Sequence, residues 1–140
     1  MRILAIDYGD SRVGLAISDP LGITAQGIKT VHNKGKKHLL DEISLVLSEY
    51  SPEKIVVGLP KNMDGTLGFR AEETYKFVEN LKTIFDKEIE YLDERLTTVN
   101  ASRILNETNT RGKKRKGVID TVSACMILES YLGKMRNGIL

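Results

Sequence analysis

Hydrophobic residues along the first part of the chain come in short runs separated by polar turns. Three β-favouring runs lie at about residues 2–8, 12–19 and 25–32, and the turns between them contain Gly and Asp. Three consecutive strands of this kind predict an antiparallel meander. A further run at 54–59 is almost wholly apolar, which is typical of a buried parallel strand, and a fifth strand is predicted at 89–93.

Between and after these later strands, the apolar residues have the spacing of helices. Apolar residues recur every three or four positions over 36–50 and again over 68–86. A third helix is predicted at about 97–107 and a last one at about 118–134. The buried stripe of the helix at 68–86 is predicted to be Tyr75, Val78, Leu81 and Phe85. The residues of the last helix expected to point inward are Ile119, Val122, Cys125, Met126 and Leu132.

The order of these elements predicts one α/β domain over residues 1–140. An antiparallel meander would join parallel crossover strands in a five-stranded mixed sheet, with helices on both faces, which is the ribonuclease H-like arrangement. Functional groups gather at the carboxyl ends of parallel strands in such sheets. Asp7 ends the first strand and Glu94 follows the fifth, so the pattern predicts two carboxylates at one edge of the sheet.

Composition narrows the class of protein only slightly. Lys and Arg total 21 against 19 acidic residues, so the net charge of +2 does not by itself indicate a nucleic-acid partner. A single cysteine, Cys125, cannot form an internal disulfide, which suits a reducing compartment. No apolar run approaches the roughly 20 residues of a membrane span and no signal-peptide pattern is seen. We expect a soluble cytoplasmic protein without a membrane partner, either a monomer or a weak homodimer.

Three acidic residues are candidates for metal-dependent phosphodiester chemistry. Asp7, Glu94 and Asp120 could supply the oxygen ligands that Mg²⁺ or Mn²⁺ prefers, and two such ions would activate water and stabilise the leaving oxygen. Two of the three have a simpler interpretation: Asp7 could cap a turn, and Asp120 could interact with a helix N-terminus. Asp93 is the alternative to Glu94, because successive strand residues point to opposite faces.

A basic segment immediately precedes the predicted last helix. It places five cations in six positions and lacks apolar periodicity, so a loop that contacts a nucleic-acid backbone is predicted. Its basic residues are Arg111, Lys113, Lys114, Arg115 and Lys116. Further candidate nucleic-acid contacts are Arg12, Lys61, Asn62 and Arg95.

Ordered motifs along essentially the whole chain resemble the YqgF family, also called RuvX. The motifs lie at residues 7–20, 21–26, 56–65, 93–98, 116–120 and 127–132. The resemblance implies a cytoplasmic, Mg²⁺- or Mn²⁺-dependent nuclease of ribonuclease H-like fold that acts in 5′-end maturation of pre-16S ribosomal RNA. It also implies that Asp7, Glu94 and Asp120 form the acidic site.

The sequence therefore favours hydrolysis of structured RNA, including RNA in pre-ribosomal particles. Two other functions stay open: a DNA endonuclease similar to Holliday junction resolvases, and a non-catalytic RNA-binding factor in ribosome assembly. The related resolvases carry a second acid one helical turn after the first on the last helix. This chain has Ser123 there, which weakens the case for junction cleavage.

Overall fold

The computed structural model describes residues 1–61, 64–93 and 112–138, and gives the helical backbone alone for 112–120. The strands and helices follow in the order β1 (Ile3–Tyr8), β2 (Arg12–Ser18), β3 (Ala25–His32), α1 (Lys36–Tyr50), β4 (Lys54–Leu59), α2 (Phe69–Leu81), β5 (Glu88–Asp93) and α3 (Gly112–Arg136). The predicted helix at 97–107 lies outside the described residues.

The five strands form one mixed sheet in the order β3-β2-β1-β4-β5. β1 pairs antiparallel with β2, and β2 pairs antiparallel with β3, as the short turns between them require. β4 pairs parallel with β1 on one side and with β5 on the other. β1 is therefore the central strand, where the meander meets the parallel strands, and the predicted fold class is confirmed.

Helices cover both faces of the sheet. α1 and α2 pack on one face, here called the α1/α2 face, against strand residues such as Leu4, Ile6 and Leu15. α3 packs on the other, the α3 face, against Ala5 and Ala16 among others. Because strand side chains alternate between faces, each strand position can be assigned to one of them.

α3 approaches the outer part of the meander very closely. A Cβ built on Gly27 of β3 would lie 2.2 Å from Cγ2 of Thr121. The hydroxyl oxygens of Thr30 and Thr121 are 3.0 Å apart, so a side-chain hydrogen bond joins β3 to the helix. The absence of a side chain at Gly27 is thus what allows α3 to pack here.

Two predictions about the last helix were wrong. α3 begins at Gly112, so the basic residues 113–116 are helical rather than in a loop. Lys and Arg are good helix formers, so this segment can be helical without apolar periodicity. The face that α3 presents to the sheet also differs from the predicted one by a rotation about the helix axis. Val122, Cys125 and Met126, which were predicted to point inward, are only partly buried. The buried residues are Ser123, Ala124, Ile127, Leu128, Tyr131 and Leu132.

α2 ends earlier than its apolar spacing predicts. The helix stops at Leu81, and Phe85 reaches the core from the following turn. The buried positions of α2 include Thr74 and Phe77, whereas Tyr75 is only partly buried. The ring of Tyr75 packs edge-on against Tyr91 of β5, with centroids 5.1 Å apart, rather than entering the core.

A partly buried ion network ties the amino ends of β4 and β5 to α3. The ammonium of Lys54 lies 2.7 Å from the hydroxyl of Tyr131, 2.9 Å from Glu88 and 3.1 Å from Glu90. Burial alone would lower the pKa of Lys54, but these partners outweigh it and raise the pKa. The hydrogen bond between Glu88 and Glu90, together with Lys54 and Tyr131, lowers the pKa of Glu90. The network is at the opposite edge of the sheet from Asp7.

Among the described helices, none combines the length and apolar character that crossing a lipid bilayer requires.

Candidate active site

Asp7 lies at the carboxyl end of the central strand, with a glycine on each side. On β2 it pairs with Gly14. On β4 the parallel register pairs Ile6 with Val57, so Gly58 is next in line beside Asp7. Asp7 is partly buried and both glycines are buried. The alternation that places Ala5 on the α3 face also places Asp7 there. Neither cross-strand neighbour of Asp7 therefore carries a side chain.

The turn after Asp7 is fixed by close packing and by Asn33. A Cβ on Gly9 would lie 2.6 Å from the carbonyl oxygen of Arg12, so this turn requires glycine. The side-chain amide of Asn33 donates to the carbonyl of Gly9 at 3.2 Å and to the hydroxyl of Tyr8 at 3.4 Å. The backbone N–H of Asn33 donates to the carbonyl of Ser11 at 2.8 Å. β1, this turn and β2 form a hairpin, the first part of the predicted meander, and Asn33 braces it from the end of β3.

Arg12 is at the same edge and on the same face as Asp7. It opens β2, and the pairing of Tyr8 with Val13 places it just beyond the end of β1. Its alternation with Gly14 and Ala16 puts it on the α3 face. A guanidinium there could bind a phosphate oxygen close to the Asp7 carboxylate.

Asp93 and Asp7 belong to opposite faces of the sheet. Leu92 of β5 belongs to the α3-face cluster, so Asp93, the next residue, is on the α1/α2 face. The Asp93 carboxylate lies 4.0 Å from the ammonium of Lys61, which is a long ion pair. The structure therefore does not bring Asp93 together with Asp7, and Glu94 lies outside the described residues.

The backbone beside Asp120 passes over the line of residues that contains Asp7. Across the sheet, Asp7 pairs with Gly14, and Gly14 pairs with Thr30. Adjacent strands are about 4.8 Å apart, so Thr30 is about 10 Å from Asp7. Thr30 bonds to Thr121, the residue after Asp120, while Gly14 leaves the intervening position without a side chain. The part of α3 around Thr121 thus lies on the same face of the sheet as Asp7.

Several predicted contacts have only a partial structural description. Lys113, Lys114, Arg115 and Lys116 are on the first turns of α3, of which the backbone is described. Asn62, Arg95 and Arg111 lie outside the described residues, as Glu94 does. Among the described side chains, no three His, Cys, Asp or Glu lie close enough together to hold a metal ion.

Sequence reasoning missed the glycines that flank Asp7 and the role of Asn33. A glycine inside an apolar strand is a signal of close approach by a ligand or another backbone, and both Gly14 and Gly58 carry that signal. Asn33 has no comparable signal, because its side-chain partners are 24 and 25 residues away in the chain.

A family model described as "RuvX: Holliday junction resolvase" matches residues 1–134. The chain belongs to the RuvX family. A protein of Halothermothrix orenii named "Putative pre-16S rRNA nuclease" is 50% identical over 132 residues, which cover 94% of each chain. One of the same name from Clostridium novyi is 48% identical over 132 residues, covering 94% of this RuvX chain and 98% of the relative. The family resemblance seen in the motifs is confirmed.

Solved structures of resolvases share the fold of this RuvX protein. Thermus thermophilus RuvC in complex with a Holliday junction substrate aligns with a TM-score of 0.62 at 13% identity, over 99% of this chain and 98% of RuvC. The fowlpox virus Holliday junction resolvase aligns with a TM-score of 0.57 at 14% identity, over 96% and 99% of the two chains. At such identities the likeness concerns the fold.

Proposed function

We propose that this RuvX protein is a divalent-metal-dependent nuclease that hydrolyses phosphodiester bonds of structured RNA, acting in 5′-end processing of pre-16S ribosomal RNA. The observation that carries the proposal is Asp7: a partly buried carboxylate at the carboxyl edge of a mixed sheet, flanked by Gly14 and Gly58 and accompanied by Arg12. The name shared by relatives at 48–50% identity supports RNA as the substrate.

The proposed metal ligands are Asp7, Glu94 and Asp120. All are carboxylates, and oxygen ligands of this kind suit Mg²⁺ or Mn²⁺. Such ions supply an activated water and charge stabilisation at the leaving oxygen. Asp93 is a weaker candidate than Glu94 because it belongs to the α1/α2 face.

Substrate binding in this proposal relies on cations around the same edge. Arg12, on the face of Asp7, would bind a phosphate next to the scissile bond, and the basic first turns of α3 would bind the backbone farther along. Such contacts make affinity fall as salt rises. The other proposed contacts are Lys61, Asn62, Arg95, Arg111, Lys113, Lys114, Arg115 and Lys116.

A second candidate function is cleavage of DNA four-way junctions. The description of the family and the shared fold favour it. Ser123 argues against it, because the family resemblance implies that resolvases carry a second acid one turn after the first, and here that position holds a buried serine. A non-catalytic assembly factor is the third candidate, and it would need only the cationic residues.

The test compares wild-type protein, Asp7→Asn and the control Asp10→Asn on pre-16S RNA with Mg²⁺ or Mn²⁺. Asp10 is an exposed acid in the same hairpin. Loss of a metal ligand should lower the cleavage rate by at least about 100-fold, since even outer-shell partners of metals contribute 10–100-fold. We expect Asp7→Asn to keep the wild-type circular dichroism and RNA affinity, and Asp10→Asn to keep full activity.

Each rival function predicts a different result. Undiminished cleavage by Asp7→Asn would refute the proposed site. RNA binding that survives EDTA, with no cleavage in either metal, would indicate the non-catalytic factor. Preferential cutting of a four-way DNA junction would indicate the resolvase.

A further inference from the structure

A cavity opens on the α1/α2 face, on the reverse side of the sheet from the Asp7 carboxylate. It has a volume of about 210 Å³ and lies between the end of β1, α1 and α2. The side chains that define its chemistry are Tyr8, Asn33, Lys36, Lys76, Phe77 and Asn80. Tyr8 directly follows Asp7, so the end of β1 contributes to both the cavity and the candidate active site.

The lining combines three kinds of group. The partly buried ring of Tyr8 forms an aromatic wall, and it stacks on the buried ring of Phe77 behind it with centroids 4.5 Å apart. Asn80 provides a carboxamide, which both donates and accepts hydrogen bonds, and Asn33, whose NH₂ group already donates to Gly9 and Tyr8, provides its carbonyl oxygen as an acceptor. Lys36 and Lys76 provide two ammonium groups. An aromatic wall, amides and cations together match the base and the phosphate of a nucleotide.

The charge balance of the cavity favours an anion. Glu73 is the carboxylate in the lining, and it lies 3.5 Å from the ammonium of Lys76. The Lys76 side chain is 73% exposed, so this pair is weak and the ammonium can turn to a phosphate. Lys36 adds a second positive charge. An inorganic anion would leave the aromatic wall unused, and an uncharged base would leave the ammonium groups unused.

The size of the cavity limits the ligand to one nucleotide. Sites for drug-sized ligands usually measure about 300–1,000 Å³, and this cavity is smaller. Unstacked bases of single-stranded RNA are typically bound one at a time against aromatic side chains. We propose that this cavity binds a single nucleotide through its base and phosphate.

Asn33 connects the cavity to the hairpin of Asp7. Its amide lines the cavity and also holds the carbonyl of Gly9 and the hydroxyl of Tyr8. A base that hydrogen-bonds to Asn33 would therefore contact the residue that braces the catalytic turn. The nucleotide could belong to the RNA substrate or be a free nucleoside monophosphate. The first source rests on the proposed function, whereas the second is independent of it.

The test follows backbone amide NMR signals of the purified full chain, without metal, as AMP, GMP, CMP or UMP is added. We expect shifts at Tyr8, Asn33, Lys36, Lys76 and Asn80 for at least one nucleotide. Inorganic phosphate and a short single-stranded RNA are added in parallel titrations. Shifts of the same amides by the RNA would identify the substrate as the source, and shifts by the mononucleotides alone would identify a free nucleotide.

Lys76→Gln and Lys82→Gln form a matched pair. Both lysines are exposed, and each pairs with the glutamate three residues before it: Lys76 with Glu73 at 3.5 Å and Lys82 with Glu79 at 3.0 Å. Lys76 lines the cavity, whereas Lys82 is not among its lining residues. One exposed charge–phosphate contact corresponds to about a fivefold change in affinity. Lys76→Gln should show that loss, and Lys82→Gln should bind as the wild type does.

Two outcomes would overturn the inference. One is the absence of shifts at the cavity amides with all four nucleotides and with RNA. The other is an identical response to inorganic phosphate, which would mean that no base is bound. Asp7→Asn should bind the mononucleotide normally, so failure of this inference is distinguishable from failure of the proposed nuclease activity.

Discussion

Replacing Gly27 by alanine tests whether the close approach of α3 to β3 positions the part of that helix that carries Asp120 and Thr121. The new Cβ would lie 2.2 Å from Cγ2 of Thr121, whereas carbon atoms in favourable contact are about 3.5–4.0 Å apart. About 1.5 Å must therefore open between strand and helix. The next nearest atom, Sγ of Cys125 at 3.6 Å, does not obstruct the methyl group.

The expected loss of stability follows from this overlap. Adding a methyl group to a tightly packed site destabilises proteins by about 1–3 kcal/mol. For a chain of 140 residues, 1 kcal/mol corresponds to about 4 °C in Tm, so Tm should fall by about 4–12 °C. A displacement near 1 Å in catalytic geometry can lower a rate by about 100-fold. Thr121 adjoins Asp120. The rate of Mg²⁺-dependent cleavage, measured at a temperature where the variant is folded, should therefore fall by more than the loss of stability alone would cause.

Thr121→Ser is the rescue variant, because it removes Cγ2 but keeps the hydroxyl that bonds to Thr30. Thermal unfolding and cleavage are measured for wild type, both single variants and the double variant, in a double-mutant cycle. The double variant should regain most of the stability and activity lost by Gly27→Ala. Gly133→Ala is the control within α3, where the nearest atom to a new Cβ is 4.0 Å away. It should stabilise the helix by about 0.5–1 kcal/mol.

A wild-type Tm and wild-type cleavage in Gly27→Ala would show that the sheet and helix adjust without consequence. Additive effects of Gly27→Ala and Thr121→Ser would likewise refute the contact as the cause, because a direct clash requires coupling between the two positions.

Lys54→Met should destabilise the fold by about 2 kcal/mol at neutral pH, because Glu90 and Tyr131 lose a charged hydrogen-bond partner. The pKa of Glu90 is lowered in the folded state, so its contribution is complete above its unfolded pKa and is lost as pH falls through the folded value. The difference between wild type and variant in urea unfolding should therefore shrink below about pH 4, and a pH-independent difference would contradict the network. Glu94→Gln should abolish metal-dependent cleavage, while Asp93→Asn should retain most of it. An equal loss in both variants, measured on the same RNA, would contradict the placement of Asp93 on the face opposite Asp7.

Most of the sheet could be predicted from the sequence because each strand carries its own local signal. α1 and β4 have the predicted bounds, and the first three strands differ by at most one residue at an end. These elements bury side chains in proportion to their hydrophobicity, so periodicity alone locates them.

The inward face of α3 could not be predicted in the same way. Ser123 and Ala124 face the sheet because a close helix–sheet approach needs small residues, and Tyr131 is buried because its hydroxyl accepts a hydrogen bond from Lys54. Hydrophobicity ranks Cys125 and Met126 above serine and alanine, so a stripe chosen by hydrophobicity alone is displaced around the helix.

The candidate site was likewise only partly predictable from the sequence. Asp7 was predictable because an acid at the end of an apolar strand is locally conspicuous. The choice between Asp93 and Glu94 depends on strand register, which the burial of Leu92 supplies and the dipeptide itself does not. The brace at Asn33 depends on contacts between residues distant in the chain, for which the sequence carries no local pattern.

The central position of β1 also has a consequence for the order of folding. Its pairs with β2 join residues no more than 13 positions apart, whereas its pairs with β4 join residues about 50 positions apart. The meander can therefore close early, with little loss of chain entropy, while the parallel pairing must wait for a long loop to close. Until then one edge of β1 is open to pairing with another chain. Since Asp7 lies on this strand, nuclease activity should be among the last properties to appear during refolding.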